Sequence, residues 1–554
     1  MPDDNTSSYS GRWVARVRGR IIAQGGTPEL ARRAAKSSRP KENPEIIYMS
    51  ALFALPPLLE KIRDLLPPEG DIYLVGGAVR DLLLNRLSPD FDFVLPSNGI
   101  SFARKIAHQL KADYMTLDSE RDTGRVIVTE ADGTRTFLDF ASYRGDSLEA
   151  DLHGRDFTIN ALAYDLRNDT ILDPLEGGAD LRAKKIRACS TTSFSDDPVR
   201  ILRAVRMAAA FGFQIEKNAR ESMKRAAGEI GRVSPERLRD ELFKILEGPK
   251  PDASIRALEM LGVIQHLMPE LIEMKGVEQS PPHAYDVWTH TLAVLAELES
   301  LLAALRVGYS ADGTNDLFTG LLTLRLGRYR EKFAEHFAAS LNTDRSVRAL
   351  LFFAALYHDV CKPQTRSWDD EKRRIRFFDH DILGAETVEQ RARFFNLSND
   401  EVERLKVVIK NHMRIHFHGS RMAGEGKSPS RRAIYRFFRE SGEAGVDLVL
   451  LGLADLRGTQ ANALTQDTWS AYLDVSRILL ENYWEKPQET VAPPRLVDGN
   501  DLMRELELKP GPLIGELLEE IRERQATGKI ETREQAMDYA RDWLSTKQDG
   551  ARNT

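Results

Sequence analysis

The sequence predicts an α+β head, a mixed sheet with helices, followed by an all-α remainder. Three observations carry this. Short apolar runs with period-two alternation fall between residues 71 and 142, broken by one helical stretch. From Pro198 onward the apolar residues recur at helical spacing, with polar caps and prolines at the starts. Finally, 554 residues exceed what one core usually holds, about 250–300, so several domains are expected.

In chain order, residues 1–48 read as a basic extension. "GRWVARVRGRIIAQGG" and "ARRAAKSSRPK" are arginine-rich with almost no acids, which fits a solvated tail or an arm that touches phosphates. Order is expected to begin near Met49 with a helix over "ALFALPPLLEKIRDLL". Then come a strand "IYLVGG", a helix "AVRDLLLNRL" and a strand "FDFVLP". "GRVIVTEADGTRTFLDFAS" reads as two alternating strands joined by the turn "ADG". "DDPVRILRAVRMAAAF" is expected to start a helix with Asp197 as N-cap and Pro198 at the first helical position. "SPERLRDELFKILEG" repeats that logic, with Ser234 as cap, Pro235 next and Gly248 as the stop. A helical body runs to about residue 480, "EKPQETVAPPR" reads as a linker, and a last helical segment closes the chain.

Composition narrows the setting. A net charge of −6 and a pI near 6.1 exclude a surface that is basic all over, so any nucleic-acid contact must come from local patches. Two cysteines, Cys189 and Cys361, exclude a disulfide framework or a zinc-thiolate site and fit a reducing compartment. No apolar stretch is long enough to span a bilayer and no signal-type apolar block opens the chain, so the expected location is the cytoplasm and no membrane partner is expected.

The stretch "DIYLVGGAVRDLLLNRLSPDFDFVLP" places Gly76 and Gly77 where a strand turns into a helix, and then brings Asp90 and Asp92 two residues apart on a strand. Residues at i and i+2 of a strand project to one face, where two carboxylates repel unless a cation lies between them. Mg²⁺ takes one or two such carboxylates plus substrate phosphates. Glycine lets backbone approach a phosphate, and a helix N-terminus favours its charge. Arg80, one turn into the helix, reaches toward the same anion, and Asp139 in "TFLDFASYR" adds a third strand-borne acid. The set suits two-metal phosphoryl transfer. Taken alone it also fits an ordinary strand–turn–helix–strand unit with a polar edge.

Longer motifs decide between these. "VGGAVRD", "DFD", "GRDFTINALAYD" (154–165) and "SDDPVRILRAVRMAAAFGF" (195–213) stand in an order and spacing that resembles the class II tRNA nucleotidyltransferase and bacterial poly(A) polymerase superfamily over roughly residues 50–250. The resemblance implies a nucleotidyltransferase head with Asp90, Asp92 and Asp139 as catalytic acids, Asp90 and Asp92 holding Mg²⁺. It implies phosphate contacts at Gly76, Gly77 and Arg80, and triphosphate and ribose contacts at Arg155, Asp156 and Asn160. Asp197 and Arg200 match the pair that reads the incoming base; Arg203 and Arg206 follow at three-residue spacing as supports of triphosphate or base readers. Two positions depart from the pattern: Gly154 stands where a second arginine is usual, and Asp196 where glutamate is frequent. The base-reading step has its own chemical sense. A carboxylate only accepts and a guanidinium only donates, and cytosine and adenine share an amino donor beside a ring-nitrogen acceptor that uracil and guanine reverse. Without the resemblance, Asp197 is a plain N-cap and the arginines a solvated stripe.

A second constellation lies in the helical body: His290 in "AYDVWTHTLAVL", His358 and Asp359 in "LYHDVCKP", His380 in "FFDHDILGAE", His412 in "VVIKNHMRI" and Asp455 in "LGLADLRGT". Imidazole with carboxylate suits a divalent transition metal, or Mg²⁺ or Mn²⁺ on an oxygen-rich side. An adjacent His-Asp pair inside the apolar run "LLFFAALYHD" needs a partner for its buried charge. The ordered set resembles the HD-domain metal-dependent phosphohydrolases, also found fused behind the head in some bacterial CCA-adding enzymes. The resemblance implies all six residues as ligands of a two-metal centre and Lys362 as a phosphate contact, with Cys361 where glycine is more usual. His283 is expected near this site, His416 and His418 on the surface, and residues 305–345 as an insertion without an assigned role.

The resulting expectation is an extension (1–48), a nucleotidyltransferase head (49–190), a helical neck with the base-reading motif (191–250), an HD-type helical body (251–480), and a linker with a helical RNA-binding tail (481–554). The implied activity is template-independent addition of C, C and A to tRNA 3′ ends from CTP and ATP, with phosphohydrolysis at the HD site. Poly(A) polymerase, a CC-only or A-only adding enzyme, an HD phosphohydrolase as the main activity, and a non-catalytic RNA-binding protein are the alternatives; the intact acids count against the last. The sequence sets no oligomeric state.

Overall fold

The structure is a computed structural model. It describes residues 13–17, 20–25, 28–40, 42–48, 55–67, 70–86, 88–130, 132–310, 316–342 and 345–552. The chain divides into two units, residues 1–200 with 211–226, and residues 201–210 with 227–554.

In the first unit, strands β1 (Trp13–Val17), β2 (Arg20–Gly25) and β3 (Glu45–Tyr48) form a sheet in the order β2-β1-β3, and the helix Pro28–Ser38 packs on it. The expected extension is therefore folded where it is described. Charge density in the sequence hid the reason: Val14, Ala15, Ala31 and Ala35 are all buried. The expected helix start near Met49 lies outside the described residues, and the helix that follows spans Pro57–Leu65.

The main sheet has seven strands: β4 (Tyr73–Val75), β5 (Asp90–Leu95), β6 (Asp113–Asp118), β7 (Thr123–Thr129), β8 (Arg135–Ser142), β9 (Ala163–Asp165) and β10 (Thr170–Leu172), in the order β10-β9-β4-β5-β8-β7-β6. Only β5 and β8 run parallel, so the sheet is mixed, as expected. Alternation along β5 divides the faces. Phe91 and Phe93 enter the core with Leu138, Phe140 and the helix Gly99–Leu110; Phe93 stacks on Phe140 at 4.8 Å and Phe102 meets Phe140 edge-on at 5.3 Å. Asp90 and Asp92 point the other way and are exposed. Further along that face Val94 joins Val75, Leu152, Ala161 and Ala163 in a second apolar cluster, which supports the acidic end of the strand.

The helix expected from Asp197 and Pro198 begins two residues later, at Arg200; the Asp197 carbonyl accepts the Arg200 N–H at 3.1 Å. Ser234 stands at the cap of Pro235–Glu247, but its side chain makes no capping hydrogen bond, and Gly248 ends that helix as expected.

The second unit is mostly helical. The helices that bear on its site are Val287–Leu305, Val347–Tyr357, His380–Phe394, Asn399–Asn411, Met413–Glu425 and Gly445–Gln460. Residues 316–342 of the expected insertion form the helices Leu317–Leu326 and Arg330–Ala338 and belong to the body. From the second, His336 Nε2 meets Asp447 at 2.7 Å, and Arg404 Nε donates to the same carboxylate at 2.7 Å. The expected linker is also held in place. Pro487–Val491 forms one wide helical turn with Thr490 buried, and Arg431 donates to the Glu489 carbonyl at 2.8 Å. Proline content signalled a break in helix, and side-chain donors from neighbouring helices keep that break fixed. The helices Gly499–Glu505, Pro512–Ala526 and Arg533–Arg552 close the chain around a core of Leu502, Leu517, Ile521 and Met537.

Candidate active site of the head and metal centre of the body

Strand register assembles the head site. Val75, Asp92, Asp139 and Arg125 lie side by side across β4, β5, β8 and β7. Residues directly opposite share a face, so Asp92 and Asp139 are brought together from positions 47 apart in sequence. Arg125 donates from Nε and Nη2 to both oxygens of Asp139, each at 2.7 Å. The acids differ in setting. Solvent reaches Asp92, but the protein packed around it raises its carboxyl pKa, with Asp139 and then Asp90 adding to the rise against Arg155 and Arg125. Three carboxylates on one face, one of them pushed toward neutrality by burial and then by the others, form a donor set suited to a hard divalent cation.

The glycine turn sits against this row. Gly76 has φ 76° and ψ −137°, a conformation that disfavours any side chain, and the helix Gly77–Leu83 starts from it. A Cβ on Gly76 would fall 2.7 Å from Arg155 Nη1 and 3.7 Å from Asp92 Oδ2, so the Arg155 guanidinium covers the turn beside the acid. Arg155 is held by Asp151, one helical turn back, through Nε at 3.1 Å and Nη2 at 2.9 Å. Arg80 is fixed too: it donates twice to Asp81 at 2.9 Å, donates to Asn160 Oδ1, and lies 4.5 Å over the Phe211 ring. Asn160 in turn donates to Asp156 Oδ1 at 2.9 Å. Arg80, Asn160 and Asp156 thus form one relay, and Gly77 lies against the Arg80 guanidinium.

Arg200 donates to Ser193 Oγ at 2.8 Å and to the Gly154 carbonyl at 3.1 Å, which ties the expected base reader to the segment carrying Arg155 and Asp156. Arg203 and Arg206 follow three and six residues on in the same helix. They belong to the second unit and converge on the buried Glu241, at 3.4 and 2.7 Å. Sequence reasoning missed Arg125, Asp151 and Arg144. Asp151 was findable, being four residues before Arg155 in a helical stretch. Arg125 was not, because only strand register reveals it. Burial, and then the guanidinium of Arg155 and those of Arg121 and Arg200, lower the Arg144 pKa, as in a cluster that attracts an anion.

In the body, all six expected ligands converge. His290 Nε2 lies 3.3 Å from His358 Nε2, 3.1 Å from Asp455 Oδ1 and 3.4 Å from Asp359 Oδ2. His380 Nε2 lies 3.3 Å from His412 Nε2, with Asp359 Oδ1 at 3.5 and 3.8 Å from the two rings. Asp359 therefore bridges two groups: His290, His358 and Asp359, and Asp359, His380 and His412. Helix ends set the tautomers. His358, His380 and His412 each present Nδ1 to the carbonyl three residues earlier, Ala355, Phe377 and Ile409, at 2.8, 2.7 and 2.6 Å. With Nδ1 carrying the proton, Nε2 carries a lone pair. His380 and His412 then face each other lone pair to lone pair, which a shared cation resolves; a metal–nitrogen distance of about 2.1 Å puts adjacent ligand nitrogens about 3 Å apart. His290 Nδ1 is buried without a hydrogen-bond partner. The donor set fits a divalent cation.

Charges in the cluster are strongly shifted. Burial opposes protonation of His290, yet the hydrogen bonds to Asp359 and Asp455 push it up to about 9. Burial, with His380 and His358, pushes His412 down to about 3. Lys362 is buried, with Nζ 2.7 Å from Asp359 Oδ2 and 2.7 Å from Gln279 Oε1. His283 stacks edge-on to His290 at 5.6 Å. His416 departs from expectation: it is half-buried, and Nε2 lies 2.7 Å from Asp455 Oδ2. Its spacing of four from His412 could have signalled this. His418 is half-buried as well.

Comparison with known proteins agrees with this division. The poly A polymerase head domain family matches residues 72–187, the HD domain family 323–437, and a tRNA nucleotidyltransferase domain 2 family 494–540. The chain is 30% identical to an A-adding tRNA nucleotidyltransferase of Deinococcus radiodurans, over 85% of this chain and 95% of that one. It is 28% identical to a CC-adding tRNA nucleotidyltransferase of Thermus thermophilus, over 87% and 96%. The fold is that of a CCA-adding enzyme solved with CTP, at TM-score 0.56 and 22% identity over 88% of this chain and 96% of the other. Heads and HD domains of these families are divalent-metal dependent. No helix among the described residues is long and apolar enough to cross a membrane. Together with the acid row beside its glycine turn, the near full-length match places this chain among the class II tRNA nucleotidyltransferases that carry an HD domain.

Proposed function

We propose that the chain adds C, C and A to the 3′ end of tRNA, using CTP and ATP, in the cytoplasm. The observation that carries this reading is the alignment of Asp92 and Asp139 beside the Gly76 turn and Arg155. Asp90 and Asp92, with Asp139, would hold Mg²⁺, which supplies charge neutralisation at the transferred phosphoryl group and lowers the pKa of an attacking hydroxyl. Arg80 and Arg155, preset by Asp81, Asn160 and Asp151, bind the triphosphate and orient its α-phosphate toward the tRNA 3′-hydroxyl, and pyrophosphate leaves. Asp156 and Asn160 position ribose. Asp197 and Arg200 read the base, accepting from the amino group and donating to the ring nitrogen that C and A share.

In the body, His290, His358, Asp359, His380, His412 and Asp455 would hold a divalent transition metal, or else Mg²⁺ or Mn²⁺, which would polarise a phosphoester and activate water. Lys362 neutralises charge at Asp359, and the substrate is a phosphoester at an RNA end, such as a 2′,3′-cyclic phosphate.

A second reading, addition of CC only or A only, is favoured by one finding: the CC-adding and A-adding relatives match 84–87% of this chain, while multifunctional CCA proteins match 41–45% of it. Product sequencing separates the readings. With tRNAs lacking CCA, ending in one C or ending in two Cs, and all four nucleotides present, CCA completion from every start is expected. Arrest after CC, or A added only to a CC end, establishes the split activity; long A tails establish a poly(A) polymerase.

A further inference from the structure

The hairpin formed by Arg366–Asp369 and Arg374–Phe377 leads directly into the metal-centre residue His380. Its register pairs Trp368 with Ile375 and Arg366 with Phe377, so these four residues share one face. That face is tied to the metal centre at one end: Lys362 Nζ lies 5.4 Å over the Phe377 ring and 2.7 Å from Asp359 Oδ2. Ile375 N–H donates to Ser280 Oγ at 2.7 Å, which anchors the strand near His283. At the other end Trp368 is 59% exposed. A tryptophan in that position leaves most of its ring in water, and folding of the hairpin gives it no return.

We propose that Trp368 is a nucleobase platform for the phosphoester site of the body, stacking the base of the terminal nucleotide of an RNA 3′ end while its phosphate lies at the histidine–aspartate centre. This rests on the phosphohydrolase reading of that centre. Charge complementarity supports a nucleic acid as occupant: Arg366 flanks Trp368 on the same face, and the hairpin as a whole carries Arg366, Lys372, Arg373, Arg374 and Arg376 against Asp369, Asp370 and Glu371, an excess of cations. Base–aromatic stacking tolerates any base, which suits an end that varies in sequence.

The test uses the full chain. Hydrolysis of adenosine 2′,3′-cyclic phosphate and of base-free glycerol 2-phosphate is measured with Mn²⁺ for wild type, Trp368→Ala and Trp368→Phe. Trp368→Ala should raise KM for the nucleotide about tenfold with kcat unchanged, Trp368→Phe should restore it, and neither should alter the base-free substrate. In a second arm, adenosine 2′,3′-cyclic phosphate is titrated into the chelator-treated chain, and tryptophan emission should be quenched in wild type but not in Trp368→Phe. An unchanged nucleotide KM in Trp368→Ala overturns the platform, as does a change in oligomeric state without a change in KM, which would assign the ring to a protein contact. If wild type hydrolyses neither substrate, the phosphohydrolase reading fails, and absence of the Trp368 quench then overturns the platform separately.

Discussion

Replacing Gly76 by alanine tests the head site at its tightest point. The backbone there has φ 76° and ψ −137°, a region that side chains rarely enter, at a cost of about 1–3 kcal/mol of stability. The new Cβ would also fall 2.7 Å from Arg155 Nη1. Arg155 cannot rotate away freely, because two hydrogen bonds hold it to the buried Asp151. The guanidinium must shift from the acid row and lose hold of the triphosphate. A hydrogen bond to a charged group contributes about 1.5–3 kcal/mol, so kcat/KM for nucleotide should fall about 10- to 150-fold beyond any stability loss. Gly133→Ala is the control: its φ is also positive, at 85°, but nothing lies within 4 Å of its Cβ. Labelled CTP and ATP incorporation into tRNA would be measured beside urea unfolding for both variants. If Gly76→Ala keeps wild-type kcat/KM, or if Gly133→Ala loses as much activity, the coupling of the turn to Arg155 is refuted.

Asp90→Ala or Asp92→Ala should abolish incorporation while filter binding of tRNA survives, since the acids contact no other part of the RNA-binding apparatus in this reading; normal incorporation by both would remove the metal role from β5. His358→Ala should eliminate Mn²⁺-dependent phosphohydrolysis and leave incorporation within about twofold, because the two ligand sets lie in separate units and share no residue; loss of tRNA extension by the folded variant would contradict this. Acid stability should report on Asp447. Burial opposes its ionisation, but Arg404 and the hydrogen bond from His336 hold its carboxyl below the ordinary value, so its stabilisation is present above the unfolded value of about 3.9 and is lost as pH falls through the folded one. Asp447→Asn should therefore be less stable than wild type at pH 7, with a gap that narrows below about pH 4 in denaturant titrations; a constant gap from pH 7 to 3 would show that this carboxylate is not the linked group.

Much of this protein is determined by its sequence alone. Alternation in "DFDFVL" already places Phe91 and Phe93 on one face and Asp90 and Asp92 on the other, because strand periodicity is a property of the local backbone. The His358-Asp359 pair at the end of the apolar run "LLFFAALYHD" likewise implies a neutralising partner before any partner is known. Both signals are local. Tertiary structure alone decided who stands beside whom. Parallel pairing of β5 with β8 put Asp139 opposite Asp92, and antiparallel β7 supplied Arg125, because register depends on which strands become neighbours. Packing likewise gave Arg203 and Arg206 a common partner in Glu241, and moved His416 from the surface to Asp455. The N-terminal stretch makes the same point in reverse. Its arginines are legible as charge, but the burial of Val14, Ala15, Ala31 and Ala35 requires a sheet and a helix to meet, and composition cannot report a meeting of two surfaces.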